Sequence, residues 1–329
     1  MRKKLSRIVE IVLVAALAAC ALFAICGCSG SGSSDTEADL PPVRIGTLAT
    51  EDILPMWVAE ERGLFEAAGI DAEIIVFQSA TELIAAVSAG EVDYAMTDPM
   101  VAASLHASGA ELKVEWITLG TDSSQGRFGI MTSDPSIRTL ADLKGKSIGV
   151  GSNTILEYVM DNLLEDAGIS PDEVKVEELQ KLPVRYESMA SGTVAAAALP
   201  ASLLALGESA GYNTIADDTQ GDNISQSIMV ARVDYLSEGN GAATEDALAR
   251  VWNDAAKMIN DNPEDFRELL VQKASLSDEV ANSYPICTYP QAVLPTSAMI
   301  DPVLEWMHAK GYLEVNMSYN PQDGTFSID

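Results

Sequence analysis

From Val43 onward, short apolar runs alternate with stretches in which apolar residues recur at helical spacing, and glycine or proline stands at many of the joints. Val43–Leu48 reads as a strand. Pro55 to Ala68 predicts a helix, with proline in its first turn and Gly69 as its stop. Glu73–Phe77 predicts a strand, Thr81–Ala89 a helix ended by Gly90, and Val92–Met96 another strand. This βαβαβ succession predicts a largely parallel sheet flanked by helices.

The pattern then recurs about one hundred residues on. Ser147-Ile148-Gly149-Val150 echoes Arg44-Ile45-Gly46-Thr47, and Asp166-Ala167-Gly168-Ile169 echoes Ala67-Ala68-Gly69-Ile70. The run from Glu187 to Val194 echoes Ala85 to Val92, and Pro200 falls where Pro99 did, at offsets of 103, 99, 102 and 101 residues. Two similar α/β lobes are expected. After a strand over Ser227–Val233, a helical region follows that includes Thr244–Asn260, Pro263–Ala274 and Pro302–Lys310. It is too poor in strands to form a third lobe and is expected to pack on the first. Lobe 1 is therefore assigned to 43–120 and 222–329, and lobe 2 to 121–221. The chain crosses between them near Gly120–Ser124 and near Asp218–Gln226, a two-crossing hinge with a cleft between the lobes.

The segment before this body has a different character. Arg2, Lys3, Lys4 and Arg7 precede an apolar run from Ile11 to Cys26, 16 residues long. That is short for a spanning helix and suited to a secretory signal. Ile25-Cys26-Gly27-Cys28 and Leu17-Ala18-Ala19-Cys20 both have the form of a bacterial lipobox. Cys28 is the preferred lipidation site, because Ser29-Gly30-Ser31-Gly32-Ser33-Ser34 follows it as a solvated leash. Residues 1–27 are read as a lipoprotein signal peptide and 28–42 as a flexible tether. The only cysteine left in the body, Cys287, is read as a small hydrophobe.

Composition narrows the function classes. The chain has 329 residues, is 47% hydrophobic, and carries 49 acidic against 20 basic residues, a net charge of −29. Loss of 1–27 makes that −32. Such a field excludes phosphate-backbone recognition and repels anionic head groups, so nucleic acid is not a partner and membrane contact runs through the lipid. Four cysteines without CxxC and two histidines, His106 and His308, leave no basis for a metal site, and no cofactor is implied. No GxxxxGK[ST] pattern occurs, so the chain is not an ATPase.

Three stretches carry a family likeness: Pro55-Met56-Trp57-Val58-Ala59-Glu60-Glu61-Arg62-Gly63-Leu64-Phe65-Glu66-Ala67-Ala68-Gly69-Ile70, Ala89-Gly90-Glu91-Val92-Asp93-Tyr94-Ala95, and Leu140-Ala141-Asp142-Leu143-Lys144-Gly145-Lys146-Ser147-Ile148-Gly149-Val150. With them the chain resembles the solute-binding lipoproteins of ABC importers, in the family of nitrate, sulfonate and taurine receptors that includes receptors for thiamine pyrimidine precursors. The resemblance runs from about Val43 to Asp218. It implies an α/β fold of the type II periplasmic-binding-protein class and an extracytoplasmic monomer anchored by lipid. It also implies capture of a small organic solute, delivery to a membrane permease, and no catalytic residues. The alternatives are an enzyme on the same bilobal fold acting on a small metabolite, or a ligand-loaded sensor.

In open α/β sheets ligands sit beyond the carboxyl ends of strands. That places Thr50, Glu51, Thr97 and Asp98 of lobe 1, Ser123 of the first crossing, and Ser152, Asn153, Thr154 and Ser202 of lobe 2 at the cleft. Ser152-Asn153-Thr154 either grips the solute or caps its own helix. Asp98, before Pro99, has the same two readings, and Trp57 either stacks on a planar ligand or fills the core. Carboxylates at Glu51, Asp52, Asp98 and Asp122, against Arg127 and Arg185 alone, favour a neutral or cationic nitrogen compound over a sulfonate or nitrate.

Overall fold

The structure, a computed structural model, describes residues 40–220, 223–239, 241–274 and 276–328. The expected signal peptide, Cys28 and the expected tether as far as residue 39 lie outside the described residues, as do Gly221 and Asp222 of the second crossing.

The first half runs β1 (Val43–Leu48), α1 (Leu54–Glu61), α2 (Leu64–Ala67), β2 (Ala72–Phe77), α3 (Ala80–Ser88), β3 (Tyr94–Thr97), α4 (Pro99–Ala107) and β4 (Leu112–Leu119). The second runs β5 (Phe128–Thr132), β6 (Ser147–Val150), α5 (Ile155–Asp166), β7 (Lys175–Glu178), α6 (Leu182–Ala190), β8 (Ala196–Pro200), α7 (Ala201–Ser209) and β9 (Asn213–Asp217). The chain continues with β10 (Ser227–Arg232), α8 (Val233–Ser237), α9 (Gly241–Asp261), α10 (Arg267–Lys273), α11 (Asp278–Ala281) and α12 (Ser297–Lys310), and ends in a hairpin of β11 (Met317–Asn320) and β12 (Thr325–Ile328). The single helix expected over Pro55–Ala68 is two, broken at Gly63, whose φ of 69° lies in the left-handed region.

Two mixed sheets result, ordered β11-β12-β4-β10-β3-β1-β2 and β7-β6-β8-β5-β9. Their central orders match: β2-β1-β3-β10-β4 in one and β7-β6-β8-β5-β9 in the other. In each of these five-strand orders the βαβ core is parallel and one strand opposes it, β10 in the first sheet and β5 in the second; β12, beyond β4, also opposes the first core. The expectation of largely parallel sheets is corrected here, and the reason is topological. A strand that arrives from the other lobe enters its sheet at the cleft edge and must run away from it, against strands that end there. Leu48, Thr97 and Pro200, at strand ends, and Phe128 and Ser227, at strand starts, accordingly all border one cavity.

The C-terminal region packs on the first sheet. Helix α9 lies against α1, burying Trp57, Trp116 and Trp252; the last two have ring centroids 5.8 Å apart. The hairpin joins the β4 edge, with Thr325 opposite Lys113, and buries Tyr319 and Phe326. Its strands have four residues each, too short to leave a readable alternation in the sequence.

The two crossings are stitched together. Asn223 Nδ2 donates to the Gly120 carbonyl at 2.7 Å, and the Asp218 carboxylate accepts the Phe128 N–H at 2.8 Å and the Ser225 hydroxyl at 2.5 Å. Gly120 has φ +95°, and a Cβ there would fall 2.1 Å from the Ser225 carbonyl oxygen. Only glycine fits a contact that is main chain against main chain. Gly120→Ala is therefore expected to cost at least about 2 kcal/mol, a fall in melting temperature of about 4 °C or more. Gly109→Ala, at φ +94° with open space around it, supplies the cost of the backbone angle alone and should lose distinctly less.

Candidate functional site

The cavity at the facing strand ends holds about 640 Å³, part of it open to solvent. Lobe 1 contributes Thr50, Asp52, Met96, Thr97, Asp98 and Ser227 to its wall, and lobe 2 contributes Phe128, Thr154, Ile155, Gln180, Leu182 and Arg185. The cavity is mostly apolar in surface.

On the lobe 1 side stands Asp98. It is the N-cap of α4, with extended φ −121° and ψ 165°, and its carboxylate accepts the Val101 N–H at 2.8 Å. The other carboxylate oxygen accepts the N–H of Ile155 at 3.1 Å, the first residue of α5 in the opposite lobe. One side chain thus satisfies free donors at two helix N-termini that face each other across the cleft. Burial pushes its acid up to about 6, against the pull of those N–H groups and with a push from Asp52. Asp52 accepts the Ser227 hydroxyl at 2.5 Å, and burial raises its acid as well.

On the lobe 2 side Arg185 is 2% exposed. Its Nε donates to Leu179 O at 2.7 Å, Nη1 to Ala198 O at 3.0 Å and Nη2 to Gln180 O at 3.2 Å. Burial without an acid in salt-bridge contact lowers its pKa to about 10. The guanidinium sits against Gly151, where a Cβ would approach Nη2 to 2.6 Å, so glycine there makes room for the cation.

Further contacts hold the lobes together beside the cavity. Asn153, at φ 55° in the left-handed region that asparagine tolerates, donates from Nδ2 to Ser104 Oγ of α4 at 2.6 Å and from its N–H to Glu157 at 2.6 Å. Glu157 and Asp161 on α5 are buried and meet Lys310 of α12, with Nζ 2.9 Å from each carboxylate. Trp306 Nε1 donates to Asp161 at 2.9 Å and the Tyr312 hydroxyl to Glu157 at 3.0 Å. Lys181 pairs with Glu82 at the exposed rim.

Of the residues expected at the cleft, Thr50, Thr97, Asp98 and Thr154 line the cavity, and Asn153 bridges the lobes at its edge. The others fall elsewhere. Trp57 is 0% exposed, a core residue of lobe 1 with no ring face open to a ligand, because α1 is covered by α9. Glu51 points into the lobe beside Tyr284; burial, then the charge of Asp52, pushes its acid up to about 7. Ser152 hydrogen-bonds Glu178 at the rim. Ser202 is buried in the first turn of α7, and Ser123 lies in the first crossing. Their neighbours Ala201 and Ser124 border a second space of about 1240 Å³, partly open, between α7 and the segment 280–288. Cys287 lines that space with its thiol pushed up to about 12 by burial, which leaves it protonated. Of the four carboxylates weighed for the solute's charge, only Asp52 and Asp98 reach the cavity.

Sequence reasoning did not select Leu48, Met96, Phe128, Gln180, Leu182 or Ser227, and it weighed Arg185 as a nearby cation without naming it a site residue. Phe128 and Ser227 carried a usable signal, since each opens the strand that follows a crossing. Among the described residues no group of three or more His, Cys, Asp and Glu is arranged to hold a metal, and no helix is long and apolar enough to cross a membrane.

Comparison with known proteins follows from this geometry. The family described as "NMT1/THI5 like" matches residues 50–265. A putative binding protein of Brucella abortus (strain 2308) is 29% identical over 268 residues, 74% of this chain and 77% of the relative. Among solved structures, the alkanesulfonate-binding protein SsuA from Xanthomonas axonopodis pv. citri, bound to MOPS, aligns with TM-score 0.70 at 19% identity over 84% of this chain and 95% of its own. The periplasmic nitrate-binding protein NrtA from Synechocystis PCC 6803 aligns with TM-score 0.70 at 11% identity, covering 84% and 83%. At these identities the two structures establish the fold.

Two expectations follow from the electrostatics. Lys310→Met strips the cation from two buried carboxylates, and should cost about 3 kcal/mol in denaturant unfolding. Adding Asp161→Asn should recover part of that loss, so that the double variant is better than the sum of the singles. The second concerns pH. Burial raises Asp98 and Asp218 to about 6, Glu51 to about 7 and Glu115 to about 8. The folded chain therefore binds more protons than the unfolded one above their ordinary values near 4, and the stability from this source is lost as pH rises through 6, 7 and 8. The melting temperature should be higher at about pH 5.5 than at about pH 8.5; the reverse order would contradict the burial of these acids.

Proposed function

The chain belongs to the NMT1/THI5 like family, and from that premise we propose that it is the extracytoplasmic receptor of an ABC importer. It captures a small organic solute between its lobes and delivers it to a membrane permease. The observation that carries this reading is the Asp98 carboxylate, which touches the first turns of α4 and α5 from opposite lobes on the wall of one cavity. A solute entering that cavity meets both lobes at once, so binding energy goes directly into closure about the crossings. Neighbouring structures are described as alkanesulfonate- and nitrate-binding proteins. A solute-binding role on this fold is consistent with both.

The reading extends to the N-terminal segment. A basic head, a 16-residue apolar run and Cys28 followed by a serine–glycine leash fit an exported chain that is cleaved before Cys28 and held by lipid. Tethered in this way, a monomer keeps its cleft free to open and close.

The test is a thermal-shift screen of the chain from Asp35 onward against amines, amino acids, pyrimidines, sulfonates, nitrate and carboxylates. A solute at 100 times its Kd adds about 2.7 kcal/mol, a shift of a few degrees. One compound class should raise the melt and be recovered unchanged. Chemical conversion of the compound would replace the receptor reading with an enzymatic one. For the anchor, Cys28→Ala in the full chain should move the protein from the membrane fraction to the soluble one; a variant that stays membrane-bound overturns lipidation at Cys28.

A further inference from the structure

We infer that the cleft takes an organic ammonium, a protonated nitrogen on a compact apolar body, in preference to an oxyanion. The inference rests on the solute-capture reading above and names the chemistry of its solute.

Free N–H groups at a helix N-terminus are the ordinary receptor for an oxyanion. Where α4 and α5 meet at this cavity that place is already filled: the Asp98 carboxylate occupies both ends, at 2.8 Å from the Val101 nitrogen and 3.1 Å from the Ile155 nitrogen. A sulfonate arriving there would meet a carboxylate where it needs donors. A third helix, α3, opens at the cavity with Ala80, but Ser79 already caps it by accepting the Glu82 N–H at 3.2 Å. Two uncapped starts remain at the cavity: that of α6, whose first residue Leu182 lines it, and that of α7, whose N-cap Pro200 lines it while Ala201 borders the second space.

The charge left over points the same way. Asp52 borders the cavity beside Asp98, near enough for its charge to act on that carboxylate, and holds the Ser227 hydroxyl at 2.5 Å. Among the described residues no lysine or arginine forms an ion pair with either acid. A buried carboxylate without a cation is costly, and a solute that brings one removes the cost. An ammonium also gains from the field of a chain carrying −29, which speeds its approach.

Among the described residues Arg185 is the one cation that lines the cavity. Three of its five N–H groups go to the carbonyls of Leu179, Ala198 and Gln180, and two have no acceptor among the described residues. Those two donors fit an acceptor oxygen elsewhere on the solute. The apolar lining, including Leu48, Leu83, Met96, Phe128, Ile155 and Leu182, calls for hydrocarbon.

The experiment compares three series on the same carbon skeletons: primary alkylammoniums of three to six carbons, the matching alkanesulfonates, and the matching primary amides. Each is titrated against the chain from Asp35 onward by calorimetry and thermal shift. Alkylammoniums should bind more tightly and raise the melt further than the alkanesulfonates. Asp52→Asn, which keeps a partner for Ser227, should weaken ammonium binding about tenfold or more. Asp98→Asn should do likewise where it folds. Preference for a sulfonate or an amide overturns the inference and leaves solute capture standing. No response to any ammonium overturns it too, and ammonium affinity unchanged in Asp52→Asn removes the assignment of that carboxylate. Failure of the capture reading is separate, since then no compound of any charge in the wider screen binds.

Discussion

The structure depends on one carboxylate placed between two lobes. Asp98 sits where β3 ends and α4 begins, so its position is fixed by a parallel strand, a proline in the first helical turn and an N–H of its own helix. From there it reaches the first N–H of α5 in the other lobe. Both helix ends are buried at the cleft, and a buried N–H without a partner is expensive. Asp98 resolves that for both lobes at once. The contact couples the site to the join between lobes, because the atoms that line the cavity are the atoms that hold it shut.

The arrangement of strands serves the same place. Parallel βαβ units bring their carboxyl ends to the cleft, and each strand arriving from the other lobe starts there. The cavity therefore collects the ends of β1, β3 and β8 and the beginnings of β5 and β10. The crossings are tied by Gly120, Asn223, Asp218 and Ser225 within a few residues of that edge. On the opposite flank, α12 supplies Lys310 and Trp306 to the acids of α5. Glu157 belongs to that group and also holds the Asn153 N–H, so the flank and the cavity rim share a residue.

Much of this was legible in the sequence, for identifiable reasons. Glycine after each helix from α1 to α4, the recurrence at about one hundred residues and the serine–asparagine–threonine run before α5 all reflect local geometry, which sequence records directly. The cleft loops followed, and with them Thr50, Thr97, Asp98 and Thr154. What escaped was decided by long-range packing. Trp57 looks like a stacking platform until α9, almost two hundred residues later, covers it. Glu51 and Asp52 are adjacent, yet a short 3₁₀ turn sends one into the lobe and the other to the cavity. Arg185 is unremarkable in its helix, and it is Gly151, just after β6, that makes room for it inside. The antiparallel strands were missed because direction depends on which lobe the chain comes from.

Closure on solute is the central claim, and the distance between the lobes reports it most directly. Spin labels placed at the exposed positions Ala85 of α3 and Glu187 of α6 in the chain from Asp35 onward, with Cys287→Ser to leave only the introduced thiols, would give that distance by pulsed electron resonance. Without solute the account requires a long-distance population beside a short one. With a saturating solute identified by the screen, the long population should disappear into the short. A single distance distribution that stays the same while the solute binds would contradict it.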